Sequence, residues 1–417
     1  MLQAKSQHLL VEDQEPPIRI NPRIILLSLG MFALGTDAFV VAGVLPVIAK
    51  ETGVTAGLAG QLITVFALTY GLGAPLLAAL TGHWPRNRVL MGALGLFCLA
   101  NLASALSPSF PLLLLTRILA GCFAATYAPM AYTIGISLAP PAKRGQALAL
   151  VVMGLTVATA LGAPFGTWIG ENFGWRFSFT MVAVLAGVAF LLLVICGLPK
   201  SATLAPLLLK ERLMPITYPR VILALSPALL WNIGVYICYT YIALFLQQNM
   251  HISDVSVLLA FFGLGMFIGS WVGGWLADCF SPHRLLPLLL VILLLIQLSL
   301  PLFTTTIVGG AIILLLWAMS FGLLFIPQQR RLLNTAPEHA NVILALNNAT
   351  LQMGIAGGAA VGGLTLRFFA ITQLAWVGAI GILLALLIVA INLLQSREKT
   401  QTAEVREIEQ KIMMMPE

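Results

Sequence analysis

Polar and apolar positions along this chain fall into long, mostly apolar runs broken by short polar or basic stretches. The run Leu285–Leu302 is one example. A helix needs about 20 predominantly apolar residues to cross the hydrocarbon of a bilayer. By that length the pattern predicts twelve spans. The first six are Ile24–Ile48, Gly57–Leu80, Val89–Leu106, Leu112–Leu138, Gln146–Trp168 and Phe177–Leu198. The second six are Val221–Leu246, Val255–Ala277, Leu285–Phe303, Val308–Ile326, Val342–Leu364 and Leu374–Leu394. A membrane barrel would show about ten-residue strands alternating apolar and polar positions, and the runs do not alternate. The fold class expected is therefore an all-α integral membrane protein.

Composition supports this. Only 9% of the residues are charged, whereas soluble domains carry about 25%. A chain so poor in charge cannot cover a water-facing surface. The net charge of +7 is no sign of nucleic-acid binding, because the basic residues sit in short loops. Eighteen of the 22 Lys and Arg fall in the tails and even-numbered loops. The opposite side holds only Lys50, Arg176 and Arg367, and Arg117 lies within a span. The positive-inside rule then puts both termini in the cytoplasm of a cell-membrane protein. The acidic, Pro-containing start, Glu12 to Pro17, is unlike a cleaved signal peptide, so the first span is expected to act as a signal-anchor.

The halves repeat. A constant shift of 196 residues carries Arg88 onto Arg284, Pro141 onto Pro337, Leu148–Leu150 onto Leu344–Leu346, Gly162 onto Gly358 and Gly166 onto Gly362. The expected organisation is an N-terminal tail (1–21), a six-helix bundle (22–198), a central loop (199–220), a second bundle (221–395) and a C-terminal tail (396–417). Within the loop, Leu204–Met214 reads as an interfacial segment. Parallel six-helix repeats place a solute site between the halves near the bilayer midplane.

Candidate chemistry is sparse. The five cysteines form no CxxC pair and the histidines no metal-binding spacing, so neither metal nor cofactor is expected. No phosphate-binding lysine motif occurs, which argues against direct use of ATP. Asp37 is the only acid inside a predicted span. It lies 13 residues from Ile24, about 20 Å along the helix. Arg117 lies five residues from Leu112 on a span running the other way, about 22 Å from the inner face of a core about 30 Å thick. The two share a depth in the same half. Charges at that depth are functional candidates by default, and this pair is a candidate proton-coupling site. Gly154, Ala158, Gly162, Gly166 and Gly170 recur every four residues as a smooth packing face, and Pro164 adds a kink. Asn232, Tyr236 and Tyr239 share one face of span 7, and Asn348 and Gln352 one face of span 11. These polar faces are candidates for lining a solute cavity.

Several of these residues resemble motifs of the major facilitator superfamily, specifically its twelve-span drug:proton antiporter branch. The loop after span 2 in that family reads approximately G-x-L-A-D-R-x-G-R-R. The second-half copy here keeps Gly274, Leu276, Ala277 and Asp278, with Arg284 one place late. The first-half copy keeps Leu80 and Arg86, with Arg88 one place late, and has Gly82 in place of the acid. Arg117-Ile-Leu-Ala-Gly121 resembles the R-x-x-x-G motif of span 4. The stretch Gly154 to Gly170, with Pro164 and the following Gly174-Trp-Arg176, resembles the antiporter-associated glycine-proline motif. The resemblance implies alternating access, with Asp278 as an anchor of helix ends in the gate. It also implies proton-coupled export of a small amphipathic drug-like or sugar-like solute by a chain able to act as a monomer. Uptake or facilitated diffusion is the rival within transport. A membrane-embedded enzyme or a sensor is the rival outside it, and neither an intramembrane catalytic cluster nor an appended soluble domain is visible.

Overall fold

The computed structural model describes residues 21–199, 214, 218–335 and 340–413. The expected tail 1–21, apart from Asn21, and the expected interfacial segment, apart from Met214, lie outside them.

The first helix, α1 (Pro22–Thr52), begins where Asn21 accepts the Arg23 amide at 3.1 Å and Pro22 supplies a preset backbone angle. It ends at Gly53, whose φ of 68° lies in the left-handed region that glycine adopts most readily. Then follow α2 (Ala56–Leu80), α3 (Arg86–Ala105), α4 (Phe110–Ser137), α5 (Pro141–Phe173) and α6 (Trp175–Cys196). The second set opens with α7, Pro219–Tyr239 continued by Ile242–Met250 after a turn. It goes on through α8 (Ser256–Cys279), α9 (Pro282–Phe303), α10 (Ile307–Thr335), α11 (Ala340–Thr365) and α12 (Leu374–Met413). Among the described residues, eleven helices are long and apolar enough to cross a membrane. The remaining long helix, α11, is diluted by Asn347, Asn348 and Gln352 but occupies the place of the eleventh of twelve spans. Large apolar side chains such as Ile195, Trp271 and Leu302 stand exposed on the outside, as lipid-facing residues do.

The helices pack as two equivalent sets. In the first, α1 packs on α5 and α6, α4 on α2 and α3, and α3 on α6. In the second, α7 packs on α11 and α12, α10 on α8 and α9, and α9 on α12. This pairing is the spatial form of the 196-residue repeat. The sets meet through α2 with α11 and α5 with α8, reinforced where the end of α7 touches α1.

The glycine face of α5 lies on α1 in parallel register. Cβ atoms added to Gly154, Gly162, Gly166 and Gly170 would run into Ser28, Thr36, Val40 and Val44, each 126 residues earlier. Gly35 and Gly43 of α1 return the contact towards Ala158 and Thr167. Helices in lipid associate through such close packing because no hydrophobic force drives them together. The second half repeats it, with Gly354, Gly358 and Gly362 of α11 against Asn232, Tyr236 and Tyr241 of α7.

Three features go beyond the sequence reading. Several helices are longer than the apolar runs: α1 takes in Glu51, α5 takes in Glu171 and α10 takes in Arg330. Asp37 is therefore not the only acid on a spanning helix, since helices extend past the hydrocarbon into the polar interface, where charge is tolerated. The C-terminal segment expected as a tail continues α12 as helix to Met413, its Glu, Lys, Arg and Gln being good helix formers. Finally, α5 carries a π-turn at Ala158–Gly162, in which the Ala163 amide bonds to the Ala158 carbonyl five residues back. Pro164 has no amide to donate, and the wider turn rearranges the bonding just before it.

The α1–α5 seam yields a stability prediction. Gly154→Ala puts a methyl group onto the Ser28 backbone carbonyl, which cannot swing aside. It is expected to cost about 1–3 kcal/mol, read as a lower melting temperature in detergent. Gly92→Ala meets nothing within 4 Å and is expected to leave the melting temperature unchanged or slightly raised. Equal effects of the two substitutions would contradict the seam.

Candidate functional site

The charged centre of the first half is built from five helices. Asp37 projects from α1, Arg117 from α4 and Asn101 from α3, with Phe66 of α2 and Phe179 of α6 as walls. Arg117 donates two hydrogen bonds to Asp37, Nη1 to Oδ1 and Nη2 to Oδ2, both at 2.8 Å. Planar guanidinium and carboxylate match in this forked geometry, which a lysine cannot reproduce. Nη1 also donates to Asn101 Oδ1 at 3.3 Å, and Asn101 is held by its own bond to the Phe97 carbonyl at 3.1 Å. The guanidinium lies 4.7 Å from the Phe66 ring centre and 5.2 Å from that of Phe179. Asp37 is 0% and Arg117 1% exposed, so the pair is sealed from solvent in this state. Arg117 Nε has no partner, leaving the cation one bond short of full satisfaction.

The glycine-proline segment of α5 touches this centre through its neighbours. Gly35 and Thr36, just before Asp37, pack on Ala158 and Gly162 of the π-turn. On its other side the π-turn meets α8 of the second half, where a Cβ on Gly263 would strike the backbone of Thr159 and Ala160. One irregular turn thus links the residues beside Asp37 to the seam between the halves.

The five candidate cavity residues do not form one lining. Asn232 and Tyr236 are buried against the glycines of α11, and the Asn232 side chain donates to the Ala228 carbonyl at 2.7 Å. Tyr239 is buried in an aromatic cluster with Phe39 of α1, Tyr236 and Phe262 of α8. Besides Tyr239, which meets Phe39, the α11 pair faces the first half. Asn348 lies beside Tyr70 of α2, and Gln352 packs beside Gly71. In this structure the Asn232 and Tyr236 part of the α7 face is covered by α11. The small α11 residues let α7 approach too closely to leave space between the helices. Tyr70, Asn101, Phe66 and Phe179 escaped sequence reading. For Asn101 the signal was present, a lone amide in an otherwise apolar stretch.

The candidate gate is asymmetric. Asp278 at the end of α8 pairs with Arg330 of α10, which also donates to the Ala277 carbonyl. The arginine holding the acid is thus not one of the motif's own. Among the described residues Arg86, Arg88 and Arg284 form no ion pair, and a Cβ added to Gly274 would meet nothing within 4 Å. The contact joins two helix ends of the same half. At the opposite end of the bundle Glu51 accepts from Trp175 Nε1 at 2.8 Å and from Arg176 at 3.0 Å. That contact gives the Gly174-Trp-Arg176 segment a bracing role between α1 and α6.

Comparison with known proteins accords with this architecture. The family model described as Major Facilitator Superfamily matches residues 27–359. The Inner membrane transport protein YdhP of Escherichia coli (strain K12) is 34% identical over 348 residues, covering 83% of this chain and 89% of that protein. A chloramphenicol resistance protein of Streptomyces lividans is 36% identical over 277 residues, covering 64% of this chain and 70% of that protein. The crystal structure of a D-xylose-proton symporter superposes with a TM-score of 0.71 at 16% identity, covering 88% of this chain and 96% of that one. With its two six-helix sets and a family match over most of its length, the chain belongs to the Major Facilitator Superfamily of membrane transporters.

Proposed function

We propose that the chain is a proton-coupled exporter of a small amphipathic solute, with Asp37 as the coupling carboxyl and Arg117 as its counter-charge. The observation that carries this reading is the sealed, bidentate Asp37–Arg117 pair. A carboxylate at this position interacts strongly with the cation, and a protonated one does not. Removing one charge of a buried pair costs about 3–5 kcal/mol because the other is stranded. Proton uptake at Asp37 is therefore favourable only if Arg117 moves to another partner or to water, and such movement is the coupling step. The π-turn of α5 transmits it, since it grips α1 beside Asp37 and touches α8 across the seam.

Export is favoured over uptake by the glycine-proline motif on α5 and by the similarity to a chloramphenicol resistance protein. Drug-like and sugar-like solutes both remain substrates of this reading, and the Tyr70–Asn348 contact supplies polar groups for either. The halves meet from the end opposite the termini, at Gly57 and Gly363, to about mid-depth, at Gly71 and Ala349. This is the arrangement of a transporter closed at the far end. With the termini in the cytoplasm, as the basic residues predict, the far end faces outwards.

Asp37→Asn mimics the protonated carboxyl and cannot release a proton. Proteoliposomes with an interior pH dye are expected to lose proton-driven solute movement by at least tenfold, while exchange of a neutral solute at equal pH survives. Uphill transport by this variant would end the coupling assignment. The gate gives a separate prediction. Asp278 and Arg330 are well exposed, so their pair contributes about 0–1 kcal/mol to stability. Asp278→Asn is expected to melt within a few degrees of the parent protein yet transport several-fold more slowly. Unchanged transport would leave Asp278 with no gating role.

A further inference from the structure

At the far end of the seam, α5 of the first half meets the start of α8 of the second. Glu171, near the end of α5, accepts the Val255 amide through Oε1 at 3.3 Å. Its other oxygen, Oε2, is buried and meets no donor. Facing Glu171 is the carboxyl group of Asp254, in the loop before α8 and next to the Val255 amide that Glu171 binds, whereas Gln247 of α7 donates to the Ser253 carbonyl at 3.0 Å. Asp254 is already held as an acceptor. Its Oδ1 takes the Ser256 hydroxyl at 2.5 Å and the Ser256 amide at 2.8 Å. Burial opposes its ionisation, but the bonds from Ser256 and Glu171 outweigh that and keep it below the usual carboxylate range. Two carboxyl groups in contact cannot both be ionised without strong repulsion, so one proton must lie between them. Because Asp254 is the better-supplied acceptor, that proton sits on Glu171.

We infer that Glu171 and Asp254 form a proton-operated latch between the two halves, a second proton site distinct from the Asp37 centre. With one shared proton, Glu171 donates to Asp254 and the far end is held closed. When that proton leaves to water, two carboxylates face each other across the seam and push α5 and α8 apart. The other charged groups at this end do not compensate. Glu51 of α1 and Arg176 of α6 pair with each other, and Lys50, His251 and Arg367 make no hydrogen bond or ion pair with Glu171 or Asp254. The sign suits an exporter. A proton arriving from the far side closes that side and returns the transporter to face the termini. This last step rests on the export reading, whereas the latch itself does not.

The test is a distance, which requires neither a known solute nor a proton gradient. Nitroxides are attached through p-acetylphenylalanine at Leu106 and Leu302, exposed far-end positions in opposite halves, and measured by double electron–electron resonance in nanodiscs. In the parent protein the distance is expected to lengthen by several ångströms between pH 5 and pH 9. Glu171→Gln keeps a donor towards Asp254 but cannot ionise, so the shift is expected to vanish with the distance fixed at its short value. Asp254→Asn supplies a donor to the Glu171 carboxylate and is expected to stay short at pH 9 as well. Asp37→Asn is expected to retain the shift, which separates the latch from the coupling centre. A pH-independent distance in the parent protein, or a Glu171→Gln variant that still lengthens, would overturn the proposal.

Discussion

A single buried ion pair constrains the first half of this transporter more than any other contact. Asp37 and Arg117 are both sealed from water and joined by two bonds of 2.8 Å. In a low-dielectric bundle neither charge can be left alone, so α1 and α4 cannot separate at this depth without a change in charge state. Asn101 and the two aromatic walls fix the guanidinium where the carboxylate needs it. The rest of the half is arranged around that requirement. The glycines of α5 bring it close enough to α1 to bury the neighbours of Asp37, and the π-turn carries the same helix onto α8.

The second half keeps the architecture and discards the charge. A shift of 196 residues carries Asp37 onto Ile233, Arg117 onto Ile313 and Asn101 onto Gln297. Gln297 is fully buried and binds the Gly234 carbonyl at 2.9 Å and Trp317 Nε1 at 3.1 Å. A neutral amide–indole network thus stands where the first half has an ion pair. The gate shows the opposite asymmetry, with Asp278 in the second half and Gly82 in the first. The two halves are thus chemically unlike, one holding the buried ion pair and the other the ion-paired helix ends.

Much of this was legible in the sequence because lipid simplifies the code. Length and apolarity alone give the spans, and antiparallel connectivity converts chain position into depth, which is how Asp37 and Arg117 could be matched before their contact was seen. The four-residue glycine spacing likewise shows a close-packing face. Rotation of one helix about its axis relative to the next is much harder to read. Asn232 and Tyr236 share a helix face with Tyr239, yet the first two are covered by α11 while Tyr239 meets Phe39 and Phe262. The π-turn was invisible because it depends on a backbone bond that Pro164 cannot make. Arg330 and Glu171 fall outside the apolar runs, since apolarity marks where hydrocarbon ends and not where a helix ends.

The central claim is that Asp37 and Arg117 act as one unit whose halves are each costly alone. Melting temperatures of Asp37→Asn, Arg117→Met and the double variant, measured at one pH in the same detergent, test it without any solute. The account predicts that each single variant loses about 3–5 kcal/mol by stranding or unbalancing a buried group. The double variant, with no buried charge left, is predicted to be more stable than either single one. If the two losses simply add, the residues are independent packing positions and the ion pair is not the constraint on which the first half is built.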